Sequence, residues 1–313
     1  MDAPASLPEV VVRLADAEGV RRALVGSIRA RLYDSFFTQG SPRPATSPPP
    51  RGEARALSHE LAAANEGTGY LEPGWRVVAA DGGQWTVQRA DLRLWVTAED
   101  IETEADPPGI GDAVALRHPG DQPGLSPGFY IARGDRVFSP ERPRMLDRVY
   151  LDLRREGAVP FISEATRRLN GAGLAFTAKV VDDPDGFDRR DAAVLYFERR
   201  DRDRALEAAD ELSRALAPFL DDGAPAMTLS LAPGVAFAED PGEAESFGSH
   251  RCLLIAEAAV DAAERGLERL DERLDLVRER FERAGTTLEA PYLESPPGEV
   301  ANAVGLIEAR VRV

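Results

Sequence analysis

The chain has 313 residues, 43% of them hydrophobic, which excludes a disordered protein and suffices for two domains and a sizeable core. A formal net charge of -16 argues against a general nucleic-acid binder, whose affinity would rest on a basic surface, so an anionic ligand needs a local arginine pocket. Cys252 is the only cysteine, which excludes an intrachain disulfide and a cysteine metal cluster.

Met1-Asp2-Ala3-Pro4 opens no signal pattern and no apolar run is of membrane-spanning length, so a soluble cytoplasmic protein with no membrane partner is expected. Val10 to Tyr33 carries apolar residues at helical spacing and predicts a helix, followed by a proline-rich linker from Ser41 to Pro50. A short second helix follows from about Glu53 to Ala64. Trp75 to Val78, Gln84 to Val87, Leu92 to Val96 and Phe129 to Ile131 are β-like runs cut by Asp81-Gly82-Gly83 and prolines. They predict a small, mostly antiparallel β subdomain between about Gly69 and Arg136, with His118 in a loop.

From about Asp147 the pattern turns to α+β. Strands are predicted at Arg148 to Leu153, Leu174 to Val181 and Ala192 to Phe197, with a helix from Ala158 to Leu169 closed by Asn170-Gly171. A second helix covers Arg202 to Phe219, and Met227 to Leu231 pairs with Gly234 to Ala238. One or two long amphipathic helices fill Ser249 to Arg283, where Leu267, Leu270, Leu274, Val277 and Phe281 serve a core or an oligomer seam. The expected class is α+β with an antiparallel sheet. Its parts are a helical segment with linker (1–66), a β-rich subdomain (67–140) and an α+β domain with long C-terminal helices (141–313).

Lys179 is the only lysine, against 37 arginines. Either it survives by chance a coding bias toward arginine, or it does what arginine cannot. A guanidinium stays charged at any working pH, whereas a partly desolvated ammonium near other cations can lose its proton and act as a base. In an extended strand Thr177, Lys179 and Val181 share one face. The next loop returns through Asp188, Arg189 and Arg190. Paired strands would bring these arginines to the amine, where they favour its neutral form and grip a phosphate bidentately; the plainer alternative is a charged turn of Arg-Asp pairs.

Ser246-Phe247-Gly248-Ser249-His250-Arg251-Cys252 runs into an apolar helical stretch. Ser249 reads as its N-cap, which places His250 and Arg251 beside unpaired backbone N–H groups, a good anion site. The helix dipole disfavours an imidazolium there and a bound phosphate dianion favours it, so the ligand itself would load the proton for general acid work. Asp182, Asp183, Asp185 and Asp188 fail the EF-hand spacing and read as a solvated acidic turn. Cys252 diverges from His250 on the helix and reads as a buried small residue.

Arg148 to Asp152, Leu174 to Phe197, Leu231-Ala232-Pro233-Gly234 with Glu239-Asp240-Pro241-Gly242, Ser246 to Cys252 and Ala290-Pro291-Tyr292-Leu293 together resemble the HopA-type effector family. The resemblance covers most of residues 70 to 295. Soluble bacterial members resemble the lyase partner in class V lanthipeptide and thioamitide pathways. There a kinase-like protein phosphorylates Ser or Thr of a precursor peptide, and the lyase eliminates the phosphate to leave dehydroalanine or dehydrobutyrine. The resemblance therefore implies a phosphoserine/phosphothreonine lyase with a phosphorylated precursor peptide and a kinase-like protein as partners, and no cofactor. β-Elimination needs a base for the Cα proton, cations for the departing phosphate and an acid for its bridging oxygen. Lys179 is the expected base and His250 the acid, with these roles exchangeable, and Arg189, Arg190, Arg251 and Ser249 would hold the phosphate. The family pattern commonly carries a basic residue after the position of Thr228; this chain has Leu229. A non-catalytic phosphopeptide- or leader-binding partner of the kinase-like protein is the second reading, and an effector acting on a host protein the third.

Overall fold

Among the described residues, alternating apolar positions build two antiparallel sheets, which six α-helices flank in this computed structural model. The structure describes residues 17–39, 51–122, 124–138, 146–242 and 246–294; the proline-rich linker and the first residues of the first predicted helix lie outside that set. The smaller sheet contains β1 (Tyr70–Asp81), β2 (Gln84–Arg89), β3 (Leu92–Val96), β4 (Ile101–Glu102) and β5 (Ala113–His118), in the order β3-β2-β1-β5-β4. Trp75, Val77, Trp85, Val87, Val96, Val114 and Leu116 alternate onto one face and close into a core of their own. Gly82 and Gly83 both take positive φ, the condition for the two-residue turn that joins Asp81 to Gln84. His118, expected in a loop, ends β5 and stacks on Tyr70 with ring centroids 4.7 Å apart. Its strand escapes a propensity reading because alanines occupy two of its first three positions.

The larger sheet runs β10-β11-β7-β9-β8-β6. Its strands are β6 (Phe129–Arg133), β7 (Leu146–Leu151), β8 (Phe176–Val181), β9 (Ala193–Glu198), β10 (Leu229–Ala232) and β11 (Val235–Glu239), and every pairing is antiparallel. Phe129 to Ile131, expected in the small subdomain, thus lies in an edge strand of this sheet, paired with the strand that carries Lys179. Alternation assigns the faces of a strand and leaves its partner open.

One face of the larger sheet is sealed by α3 (Ala158–Gly171) and α4 (Arg202–Leu216), with α2 (Arg51–Ala64) against α3. Phe161, Ile162, Ala165 and Leu169 from α3 and Ala205, Ala209, Leu212 and Leu216 from α4 pack with Phe176, Ala178, Val180, Leu195 and Phe197. The opposite face is approached by α1 (Ala17–Leu32), its π-helical continuation Tyr33–Phe37, and α5 (Phe247–Glu264). Phe37, Tyr150 and Phe247 meet there with ring centroids 6.0 to 6.4 Å apart. Gly248 permits this approach, since a Cβ on it would collide with the Phe37 ring. Finally α6 (Leu270–Arg283) packs on α5. Its predicted stripe divides: Phe281 is buried, Leu267 and Val277 are partly buried, and Leu270 and Leu274 are exposed, while Leu276, outside the stripe, is buried. No helix among the described residues is long and apolar enough to cross a membrane.

Candidate active site

Lys179 stands opposite Ile131 on β6 and Val194 on β9. Register carries the same face onward through Thr177 and Tyr196 to Arg148 and Tyr150 on β7, so the basic residues of the sheet share one side. The ammonium lies 3.8 Å from the centroid of the Phe129 ring, and the guanidinium carbon of Arg189 lies 5.2 Å from that same ring. Among the described residues Nζ has no hydrogen-bond or ion-pair partner. Burial, then Arg189 and Arg148, lower its pKa to about 8, against an opposing pull from Asp191. At pH 7 roughly a tenth of the molecules then hold a neutral amine.

Arg189 is fixed by its neighbours. Nε donates to Asp191 Oδ1 at 2.5 Å, and Nη2 donates to Asp191 Oδ2 at 2.8 Å and to the Tyr33 hydroxyl at 3.3 Å. Tyr33 donates in turn to Asp191 Oδ2 at 3.3 Å. Burial, followed by Asp191, raises the pKa of the phenol, so it remains a neutral donor. Arg148 is held by Asp240, with Nε 2.7 Å from Oδ2, and lies over the Tyr196 ring at 5.0 Å.

The other expected residues are placed differently. Arg190 Nη1 pairs with Asp152 Oδ2 at 2.5 Å, which also accepts from the Gly223 N–H at 2.9 Å; this is the Arg-Asp pairing of the plainer reading. Ser249 does not cap the helix: Ser246 does, accepting from the Ser249 N–H at 3.3 Å. The start moves upstream because Phe247 is buried against Phe37 and Tyr150. As a result the His250 N–H, expected beside unpaired donors, is bonded to Ser246 O at 2.9 Å. Arg251 is fully buried, with Nε on Pro291 O at 2.7 Å, Nη2 on Glu294 and Nη1 on His250 Nδ1 at 2.7 Å. A guanidinium only donates, so His250 Nδ1 accepts and the neutral ring carries its proton on Nε2. Burial pushes the Cys252 thiol up to about 12, in keeping with a small core residue. No group of three potential ligands among the described residues is arranged to hold a metal ion.

The structure therefore brings Lys179 and Arg189 together and seats His250 elsewhere on the same sheet face. Tyr150 is two strands from Lys179, about 10 Å at the usual spacing, and it packs on Phe247, three residues before His250. Phe129, Asp191, Tyr33, Arg148 and Tyr196 complete the surroundings of Lys179, and sequence reasoning named none of them as site residues.

Residues 121–293 match the HopA1 effector protein family. The chain belongs to that family. Among solved structures, the effector protein from Pseudomonas syringae pv. syringae strain 61 is similar at 14% identity and a TM-score of 0.50, with 89% of this chain and 93% of that one covered. The corresponding effector from Pseudomonas syringae pv. tomato strain DC3000 aligns at 13% identity and a TM-score of 0.48, covering 89% and 97%. The phosphothreonine lyase OspF from Shigella flexneri aligns at 8% identity and a TM-score of 0.30, covering 76% and 98%, which carries no argument about chemistry. No curated protein matches the chain.

Within the HopA1 family span lie Phe129, Lys179, Arg189, Asp191 and His250, whereas Tyr33 and the smaller sheet fall before it. Leu229, the departure from the family pattern, pairs with Phe237 on the face packed by α3 and α4. It points away from Lys179, so the missing basic side chain takes no cation from that amine.

A single lysine makes the electrostatics directly measurable by amine acylation as a function of pH. The midpoint for Lys179 is expected near 8. Arg189→Met leaves Asp191 unopposed and moves the midpoint up by about one unit, and Asp191→Asn moves it down by a similar amount. Midpoints unchanged in both variants would refute the assigned causes.

Proposed function

We propose that this protein is a phosphoserine/phosphothreonine lyase acting in the cytoplasm on a phosphorylated precursor peptide, in lanthipeptide or thioamitide maturation, with a kinase-like protein supplying its substrate. The observation that carries the reading is Lys179, an amine with a lowered pKa beside the Arg189 guanidinium and without a carboxylate partner among the described residues. Membership of the HopA1 family and the sequence resemblance to peptide-modifying lyases support it.

In this reaction the neutral Nζ takes the Cα proton, the C–H electron pair forms the Cα=Cβ bond, and the Cβ–O bond breaks with its pair leaving on phosphate. Arg189 binds the departing group: its Nε and Nη2 are occupied by Asp191 and Tyr33, and Nη1 makes no hydrogen bond among the described residues. His250, whose neutral ring offers Nε2–H, stabilises the departing bridging oxygen by donating a hydrogen bond to it. Arg190 and Arg251 are left out of the phosphate site because their guanidiniums serve Asp152 and Glu294, and Ser249 because its N–H is bonded to the Ser246 cap.

Mass spectrometry of a phosphothreonine peptide mixed with the purified protein tests the reading. A product lighter by phosphoric acid that then adds a thiol is expected. Unaltered phosphopeptide co-eluting with the protein would replace the lyase by a phosphopeptide-binding partner of the kinase.

A further inference from the structure

Beyond the N-terminal end of β8 an open cleft of about 860 Å³ lies between the start of β1, the segment after β6, the C-terminal end of α3 and the start of α4. Arg136, Arg200 and Arg204 line it together with Tyr70, Asp135 and Asp201. The two carboxylates are engaged without closing tightly on these arginines. Asp135 is occupied by the Thr68 N–H at 2.6 Å, the Thr68 hydroxyl at 3.1 Å and the Gly69 N–H at 3.0 Å. Asp201 approaches Arg204 only to 3.5 Å and Arg200 to 3.9 Å.

Arg200 has a closer partner in the buried Glu198 at 2.6 Å, yet 62% of its side chain remains exposed, as does 56% of Arg204. Arg136 is exposed and has no ion pair or hydrogen bond among the described residues. In a chain of net charge -16 the cleft thus gathers three guanidiniums, of which Arg136 has no countercharge among the described residues. Their forked donors match carboxylates; the exposed Arg204–Asp201 pairing can be exchanged for a ligand at little cost, while Arg200 keeps Glu198 and would bind through its remaining donors.

We propose that this cleft binds an acidic segment of a peptide, its side-chain carboxylates held by Arg136, Arg200 and Arg204. The placement links it to Lys179. Ala175 lines the cleft, and Ala175, Thr177 and Lys179 follow one another along one face of the same extended chain, with Thr177 half-buried between them. Four residues at ~3.3 Å span about 13 Å. A peptide that leaves the cleft at Ala175 would therefore need at least about four extended residues to bring a phosphorylated side chain to Lys179. This deepens the lyase reading and rests on it for the identity of the bound chain.

Fluorescence anisotropy with a labelled, unphosphorylated Glu-rich peptide and its Gln counterpart tests the cleft without turnover. The full chain is expected to bind the Glu peptide at least tenfold more tightly, and Lys179→Met to keep that preference. Arg136→Ala/Arg200→Ala/Arg204→Ala should lose it. Arg204 also donates to Ala172 O at the end of α3, so Arg136→Glu, which removes no folded-state partner, serves as the milder variant and should weaken binding several-fold. Equal binding of the two peptides, or an unchanged preference in Arg136→Glu, overturns the proposal. Acid preference without elimination keeps the cleft and removes the lyase; elimination without acid preference does the reverse.

Discussion

Lys179→Met is expected to abolish phosphate elimination and at the same time to stabilise the fold. The folded-state pKa of about 8 lies below the ordinary value of 10.5. Between those values the unfolded chain binds more protons than the folded one, so wild-type stability rises with pH across that window. Below pH 8 the folded chain bears the whole cost of a half-buried ammonium. The difference corresponds to ~3 kcal/mol at most. Loss of the contact with the Phe129 ring offsets about 1 kcal/mol. A methionine fills the volume of the lysine stem without a charge, so a net gain of about 1–2 kcal/mol is expected at pH 7 in urea unfolding. The gain should shrink as pH rises from 8 to 10.5. Residual turnover in this variant would remove Lys179 as the base. Equal stability of the two proteins at pH 7 would show that the amine is not desolvated. Stability gained where activity is lost is the signature of a group kept for chemistry.

Much of this arrangement was legible in the sequence, and the unread part has a common physical origin. Lys179, Arg189 and their strand–loop–strand context could be read because the residues are ten positions apart in one antiparallel pair. Phe129 could not: it reaches Lys179 from an edge strand whose alternation is satisfied equally well by either sheet. Tyr33 comes from a helix 158 residues before Asp191, and nothing local to either residue marks the contact. At the start of α5, Ser246 and Ser249 are equally good caps by type, and the burial of Phe247 decides between them. Arg251 resembles an anion ligand in sequence because its carboxylate partner, Glu294, lies 43 residues further on.

That last misreading leads to a large expected effect on folding. Arg251→Met removes a guanidinium that is fully buried and joins α5 to the Pro291–Glu294 segment. The Glu294 side chain would be left nearly buried without its Arg251 countercharge, and Pro291 O would lose its guanidinium donor, while Leu293 O keeps the Thr286 hydroxyl. Breaking a buried pair in this way costs ~3–5 kcal/mol, more than the pair contributes, because the orphaned charge cannot reach water. Arg251→Met/Glu294→Gln should recover a large part of that loss, which a double-mutant cycle in urea will read. The same guanidinium fixes His250 through Nδ1. Nitrogen NMR of the wild type should therefore show the neutral ring protonated on Nε2, and Arg251→Met should admit the other tautomer. A loss below about 1 kcal/mol with an unchanged tautomer would mean that Arg251 neither ties down the C-terminal segment nor orients the histidine. If the tautomer mixes while Glu294→Gln restores stability alone, the strap and the positioning of His250 are separable functions of one side chain.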